Sequence, residues 1–280
     1  MAAIPHLASW VRDYAAQGLY VIGNHCQAGT DQEVQAVCRQ NRVNYTIVKS
    51  GRVEGDNSRG IPHMFIFDHT GKCVFEGHPG SAANALKDAM AAAPHPLLAD
   101  LPLKKLAKLG QALKSGQPVG AVLKQAKGKM SASDAETAAE AKGIVERCTA
   151  YADKLVKDAD GLAESDPYEC YALLERIKKE FSGAEQSAAA EKKLAAHKKD
   201  KSFMAQYEAG KILADIMKTG AELKGIGSKP VDLSDKTCLK ANRSAATKIV
   251  AGIATLKKKH ADTKYCAEAL EYAKTIGLEV

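Results

Sequence analysis

The stretch GIPHMFIFDHTGKCVFEGHPG, residues 60–80, decides the fold expected for the first part of the chain. It contains two extended runs, His63–Asp68 and Lys72–Glu76, which are rich in aromatic and β-branched residues. The residues that connect them end in Gly71, and glycine readily adopts the positive φ of a tight turn. The stretch therefore predicts a β-hairpin.

The patterns on either side of this hairpin predict alternating helices and strands. The run LYVIG at residues 19–23 is apolar throughout, as in a strand buried on both faces of a parallel sheet. Thr30 and Asp31 offer an N-cap for the helix that follows. In chain order we expect a helix over Ile4–Gln17, a strand over Leu19–Gly23, a helix to Gln40, a strand over Tyr45–Val48, the hairpin, and a helix over Ala82–Ala92.

The remainder of the chain has the composition of helices. From Leu103 onward, Ala, Leu, Lys and Glu dominate with a period near 3.6 residues, and no strand pattern is found. Asp166 and Pro167 predict a helix start, and the apolar face that follows consists of Tyr171, Leu174, Ile177 and Phe181. Similar stretches after residues 175 and 254 predict a weakly repeated helical hairpin, since each joins a basic helix end to an Ala-rich helix.

These patterns divide the chain into two expected domains. An α/β domain covers residues 1–93, the segment Pro94–Pro96 is a linker, and an all-α helical-hairpin domain covers residues 97–280. The length of 280 residues agrees with two domains.

Composition excludes several classes of protein. Hydrophobic residues make up 45% and charged residues 26%, as in an ordinary globular protein, and no run reaches the roughly 18 apolar residues of a membrane span. The formal charge of +7 lies in the second part, where lysines alternate with acids and few aromatic residues stand among them. This pattern is typical of solvated helix faces, so no nucleic-acid partner is expected, and an electrostatic nucleic-acid binder is a distant third hypothesis.

The cysteines and histidines predict no catalytic residue, metal site or cofactor. The seven cysteines form no C-x-x-C motif and no zinc-ligand spacing. His25, His63, His69 and His78 lie near predicted strand ends, but none has a partner at helical spacing.

The order of elements in residues 1–93 resembles the second half of a thioredoxin-fold domain of the TlpA- or ResA-like redoxin branch. Residues 60–80 resemble the family's proline segment and hairpin, and AAIPHLASWVRDYAAQGLYVIGNH, residues 2–25, resembles its active-site helix and following strand. In that family the proline is cis and the residue before it contacts bound peptide. The resemblance thus implies a substrate-binding segment of Gly60, Ile61 and Pro62, with the Ile61–Pro62 bond cis.

The family's Trp-Cys-x-x-Cys has no counterpart here, because Met1 stands where that motif would end. The resemblance therefore implies a thiol-disulfide oxidoreductase of thioredoxin-like, N-terminally incomplete fold, whose central strand and cysteine pair we expect to be encoded upstream. It also implies protein thiols or peptide segments as partners, and a periplasmic or envelope location if that upstream piece exists, although the sequence itself carries no signal peptide.

The alternative hypothesis is a non-catalytic scaffold. In it, a decayed thioredoxin-like domain presents the groove at Ile61–Pro62, and the helical hairpins bind a protein partner. The substrate, the redox direction and the oligomeric state are not predicted by the sequence.

Overall fold

The structure is a computed structural model, and it describes residues 3–40, 43–56, 58, 60–226 and 231–280. The chain groups into two compact units, the first comprising residues 1–117 and 129–144 and the second residues 118–128 and 145–280. The predicted domain boundary near residues 94–96 is a different division and stays a prediction.

The first unit contains four helices and four short strands within its described residues. In chain order these are α1 (Ala3–Tyr14), β1 (Ile22–His25), α2 (Asp31–Gln40), β2 (Thr46–Lys49), β3 (Met64–Phe67), β4 (Cys73–Gly77), α3 (Ala83–Ala92) and α4 (Ala107–Lys114). Short 3₁₀ turns extend α1 over Ala15–Gln17 and precede α3 and α4 over Pro79–Ser81 and Pro96–Leu98.

The predicted hairpin is confirmed. Strands β3 and β4 pair antiparallel, with Met64 opposite Gly77. Asp68 fixes the turn, since its carboxylate accepts hydrogen bonds from the backbone N–H groups of Thr70 (2.8 Å) and Lys72 (3.1 Å). Gly71 supplies the expected positive φ, at 85°.

The prediction of an α/β thioredoxin-like domain is wrong. The structure is 62% helical and 6% strand. Its four strands form two separate two-stranded sheets, in the orders β1–β2 and β3–β4. The sequence pattern predicted correctly that these segments contain strands. The described residues, however, provide no strand that joins β1 to β3 into one sheet.

The first strand also differs from its prediction. Strand β1 begins at Ile22, not Leu19, and pairs parallel with β2 from Ile22↔Thr46 to His25↔Lys49. Tyr20 is 73% and Ile22 58% exposed, so the apolar run is not buried on both faces. Burial alternates along the run, because Leu19 and Val21 are partly buried, so only one face of the strand is partly covered.

Side-chain oxygens accept backbone N–H groups at or just before the start of two helices of this unit. Thr30 Oγ1 accepts the N–H of Glu33 (3.3 Å), and the Glu33 carboxylate accepts the N–H of Thr30 (2.8 Å), which is a capping box. Glu140 holds the segment just before α4, since its carboxylate accepts the N–H groups of Lys104, Lys105 and Leu106 at 2.7–3.1 Å. The predicted N-cap at Thr30 is thus confirmed.

The second unit is built from helices. They are α5 (Val119–Lys127), the later part of α6 (Ala135–Ser165), α7 (Pro167–Glu180), α8 (Glu185–His197), α9 (Lys201–Gly220), α10 (Lys236–Ala241), α11 (Arg243–Lys259) and α12 (Lys264–Thr275). No strand occurs among the described residues after Gly77. Helix α9 packs against α7, α11 and α12, and α8 packs against α7.

The predicted apolar face of α7 is confirmed. Leu174, Ile177 and Phe181 are at most 1% exposed, and Tyr171 is 9% exposed. A second cluster is centred on Ile249, Ile253 and Leu256 of α11, each fully buried. On α9, Ile216 is 3% exposed, whereas the neighbouring Met217 is 47% exposed.

A buried asparagine ties the loop after α9 to the start of α11. The Asn242 amide accepts the N–H of Lys224 (2.8 Å) and donates to the carbonyls of Lys224 (2.8 Å) and Cys238 (2.9 Å). It therefore satisfies backbone groups that burial would otherwise leave unpaired. No helix among the described residues is long and apolar enough to cross a membrane.

Candidate functional site: a tyrosine-lined groove

The predicted substrate-binding segment lies on an open surface. A Cβ atom built on Gly60 meets no atom within 4 Å, Ile61 is 57% exposed, and Pro62 is exposed. The Ile61–Pro62 bond is cis, as predicted. The role of Gly60, Ile61 and Pro62 in binding substrate stays a prediction.

All seven cysteines are free thiols. Cys26 and Cys73 are exposed, whereas the four in the helical unit are buried. Burial raises the pKa of Cys148 to about 12, so its thiol is protonated at neutral pH. The described residues contain no group of three or more His, Cys, Asp or Glu side chains that could hold a metal ion.

Cys170 and His197 form the closest approach of a thiol to a base. The Sγ to Nε2 distance is 4.0 Å, and the imidazole stacks on Phe203 with ring centroids 3.9 Å apart. Burial raises the pKa of the Cys170 thiol and lowers the pKa of His197. Both shifts disfavour the thiolate–imidazolium pair that a cysteine nucleophile needs.

We expect the purified chain to show no disulfide-reductase turnover above background, because thiolate chemistry needs a low-pKa thiol with a resolving partner. The measurement is catalysed reduction of a protein disulfide by a dithiol donor. Turnover that is abolished by Cys26→Ser or Cys73→Ser would contradict this expectation and identify the reactive thiol.

A hydrogen-bond network fixes the start of α7. The Asp166 carboxylate accepts the N–H of Glu169 (3.1 Å), the Tyr265 hydroxyl (2.6 Å) and the Lys264 ammonium (2.8 Å). The Tyr265 hydroxyl in turn accepts the N–H of Tyr168 at 3.1 Å. The first turn of α7, including Tyr168, is therefore held against the first turn of α12.

This network predicts a pH dependence of stability. Partial burial opposes ionisation of Asp166, but the hydrogen bonds from Lys264 and Tyr265 outweigh it and hold the pKa of Asp166 below its ordinary value. The carboxylate therefore stabilises the fold above the unfolded pKa of about 4, and this contribution is lost as the pH falls through the lower folded pKa.

Asp166→Asn should lower the free energy of unfolding by about 1–2 kcal/mol at neutral pH, with a smaller difference from wild type in acid. Urea unfolding followed by circular dichroism at several pH values measures this, with the exposed Glu164→Gln as control. A difference from wild type that stays constant down to acid pH would show that Asp166 does not act through its charge.

A glycine brings α7 and α9 close together. A Cβ atom built on Gly210 would overlap Tyr168 Cβ and lie 2.9 Å from Tyr168 Cγ and 3.2 Å from Tyr265 Cζ. Gly210 is buried, and only a residue without a side chain fits this contact. The close approach places Tyr168 of α7 beside Tyr207 of α9.

The two helices enclose a groove of about 360 Å³. Helix α7 contributes Tyr168, Tyr171, Ala172 and Glu175, and helix α9 contributes Tyr207, Lys211, Ala214 and Asp215. Both sets recur at the three- and four-residue spacings that align side chains on one helix face. The volume lies in the range of ligand-binding pockets.

Three tyrosine rings form the aromatic wall of the groove. The Tyr207 ring lies 4.3 Å from that of Tyr171 and 6.1 Å from that of Tyr168, measured between centroids. Their hydroxyls make no hydrogen bond to a described residue of the chain. Tyr168 and Tyr207 are only partly buried, so their rings and hydroxyls can contact a ligand.

The lining of the groove contains one ammonium group and two carboxylates. The Lys211 ammonium lies 3.2 Å from the Glu208 carboxylate and 5.6 Å from the centroid of Tyr207. Glu175 and Asp215 make no hydrogen bond and no ion pair with the described residues. The Lys211 ammonium also attracts Asp215 at longer range. The groove thus offers two carboxylates that form no close ion pair, beside aromatic rings.

The groove was not predicted from the sequence. Tyr171 was assigned to the apolar core face, and Tyr168, Tyr207 and Glu175 carried no signal of their own. The pairing of α7 with α9, and not only with its sequence neighbour α8, creates the groove, and helix periodicity alone does not identify partners. Comparison of the chain with protein-family models, with curated proteins and with solved structures finds no match.

Proposed function

We propose that this chain is a non-catalytic protein-binding protein whose helical unit holds a segment of a partner in the groove between α7 and α9. The observation that carries the proposal is the groove itself, which is lined by the partly exposed rings of Tyr168 and Tyr207, the buried Tyr171 and two small alanines. Tyrosine is enriched where proteins bind one another, since its ring supplies contact area and its hydroxyl supplies hydrogen bonds.

The chemistry of the rest of the chain supports binding over catalysis. The closest thiol–imidazole pair has its pKa values shifted away from the reactive form. The groove contains no histidine or cysteine, and Lys211 is engaged with Glu208. The oxidoreductase hypothesis gains no support from these groups.

The groove also has a rigid frame. Asp166 and Tyr265 hold the first turn of α7, and Gly210 sets the distance between α7 and α9. A preformed groove binds with a smaller loss of conformational entropy than a mobile surface does.

A peptide selection tests the proposal. A random peptide library is selected on the immobilised full chain, and the affinity of each enriched peptide is measured by fluorescence anisotropy. Ala172→Arg fills the groove, whereas Ala188→Arg places the same side chain on the exposed surface of α8 and is the matched control.

We expect enriched peptides to bind the wild-type chain and the Ala188→Arg control equally. Ala172→Arg should weaken them by about tenfold or more, which corresponds to about 1.4 kcal/mol. Failure to enrich any peptide, or equal binding to both arginine variants, would contradict the proposal.

A further inference from the structure

We infer that the groove between α7 and α9 recognises a basic segment of the partner protein, with a lysine or arginine side chain between the tyrosine rings and the carboxylates of Glu175 and Asp215. The inference rests on the proposed function and names the chemistry of the ligand.

The first argument is charge complementarity. The carboxylates of Glu175 and Asp215 line the groove and have no partner within hydrogen-bond or ion-pair distance among the described residues. The cation of the groove, Lys211, is already engaged by Glu208. Asp215 also interacts with Lys211 electrostatically at longer range. A ligand that brings its own cation would give these carboxylates a close partner, and charge-assisted hydrogen bonds are stronger than neutral ones.

The second argument is the aromatic wall. A cation over the face of a tyrosine is attracted by the quadrupole of the ring. Lys211 already shows this geometry at Tyr207, where the ammonium lies 5.6 Å from the ring centroid. Tyr168 adds a second partly exposed ring, stacked against Tyr207 at an interplanar angle of 23°.

The third argument is the balance of donors and acceptors. Carboxylates only accept hydrogen bonds, and tyrosine hydroxyls both accept and donate. The polar groups of the groove are two carboxylates, three hydroxyls and the Lys211 ammonium, which donates to Glu208, so acceptors outnumber the remaining donors. An ammonium or guanidinium group carries donors alone and matches this set, whereas a carboxylate or phosphate would face two like charges.

The size of the groove suits such a ligand. The small side chains of Ala172 and Ala214 leave room beside the tyrosine rings. The groove of about 360 Å³ accommodates a long side chain with its adjoining backbone. The aliphatic part of a lysine or arginine would pack on the alanines and the ring edges while its charge reaches the carboxylates.

Three synthetic peptides with identical flanking residues test the inference. They carry lysine, norleucine or glutamate at the same central positions, and their affinities are measured by fluorescence anisotropy with the full chain. The groove variant is Glu175→Gln with Asp215→Asn. The control is Asp262→Asn with Glu271→Gln, which changes the net charge equally at exposed positions outside the groove.

We expect the lysine peptide to bind the wild-type chain about tenfold more tightly than the norleucine peptide, with the glutamate peptide weakest. The groove variant should lose this preference, and the control should keep it. A lysine preference that is absent from wild type, or that survives in the groove variant, or that is lost equally in the control, would overturn the inference.

The proposal of peptide binding and the inference about a cation can be contradicted independently of each other. If selected peptides lose affinity in Ala172→Arg but the wild-type chain shows no lysine preference, the groove binds peptides and the inference about a cation is wrong. If no peptide depends on residue 172, the proposed function itself is wrong.

Discussion

Gly120→Ala is expected to destabilise the helical unit by about 2–4 kcal/mol, since overpacking of a core typically costs 1–3 kcal/mol and more where the backbone must move. A Cβ atom at Gly120 would lie 2.7 Å from the carbonyl carbon of Phe181 and 2.8 Å from the carbonyl oxygen of Ser182. These are backbone atoms at the end of α7, so no side chain can rotate away to make room.

Gly161→Ala is the matched control for this prediction. Gly161 also lies in a helix, α6, but a Cβ atom there meets nothing within 4 Å. Alanine should therefore stabilise the helix by about 0.5–1 kcal/mol, because glycine loses more backbone entropy on folding. Urea unfolding followed by the helical circular dichroism signal compares the two variants, and equal effects would show that α5 does not contact the end of α7 as described.

Gly210→Ala should have a comparable effect, about 2–4 kcal/mol, and it should also alter the groove. The new methyl group would overlap Tyr168 Cβ, so α7 and α9 would have to separate. The measurement is again urea unfolding, together with the affinity of a groove-binding peptide. We expect both stability and affinity to fall.

Tyr168→Ala in the Gly210→Ala background serves as a further test of this contact. Tyr168→Ala keeps the Cβ atom but removes the ring, including Cγ, which lies 2.9 Å from the new methyl group. The two substitutions should therefore be less destabilising together than the sum of their separate effects. Strict additivity would show that the overlap involves only the Cβ atom of residue 168 and not the ring of Tyr168.

Local structure was predictable where one short stretch of sequence determines it. The hairpin around Gly71 and the N-cap at Thr30 depend on residues a few positions apart, and both are present as expected. The buried face of α7 follows in the same way from the spacing of Leu174, Ile177 and Phe181.

Tertiary structure was not predictable from the same patterns. The family resemblance assumed that β1 and β3 belong to one sheet, but the described strands pair only as β1–β2 and β3–β4. Strand pairing depends on partners far apart in the sequence, and an apolar run such as residues 19–23 does not specify them.

The candidate site also depends on contacts between residues that lie far apart in the sequence. The Glu140 carboxylate accepts the N–H of Lys104, which lies more than thirty residues away in the sequence. The Tyr168 N–H donates to the Tyr265 hydroxyl across an even longer sequence separation. Likewise, Tyr168 and Tyr207 form one wall only because Gly210 lets their helices approach. Nothing in the local pattern of α7 or α9 shows which of their faces meet.

Photo-crosslinking tests directly whether the groove between α7 and α9 binds a partner segment. A photoreactive p-benzoylphenylalanine replaces the aromatic, partly exposed Tyr207 of the groove in one protein and Ala188 on the exposed face of α8 in another. Each protein is irradiated with a labelled lysine-containing peptide, and the covalent products are separated and sequenced. We expect the peptide to be crosslinked from position 207 and not from position 188. Crosslinking from position 188 alone, or equally from both positions, would contradict it.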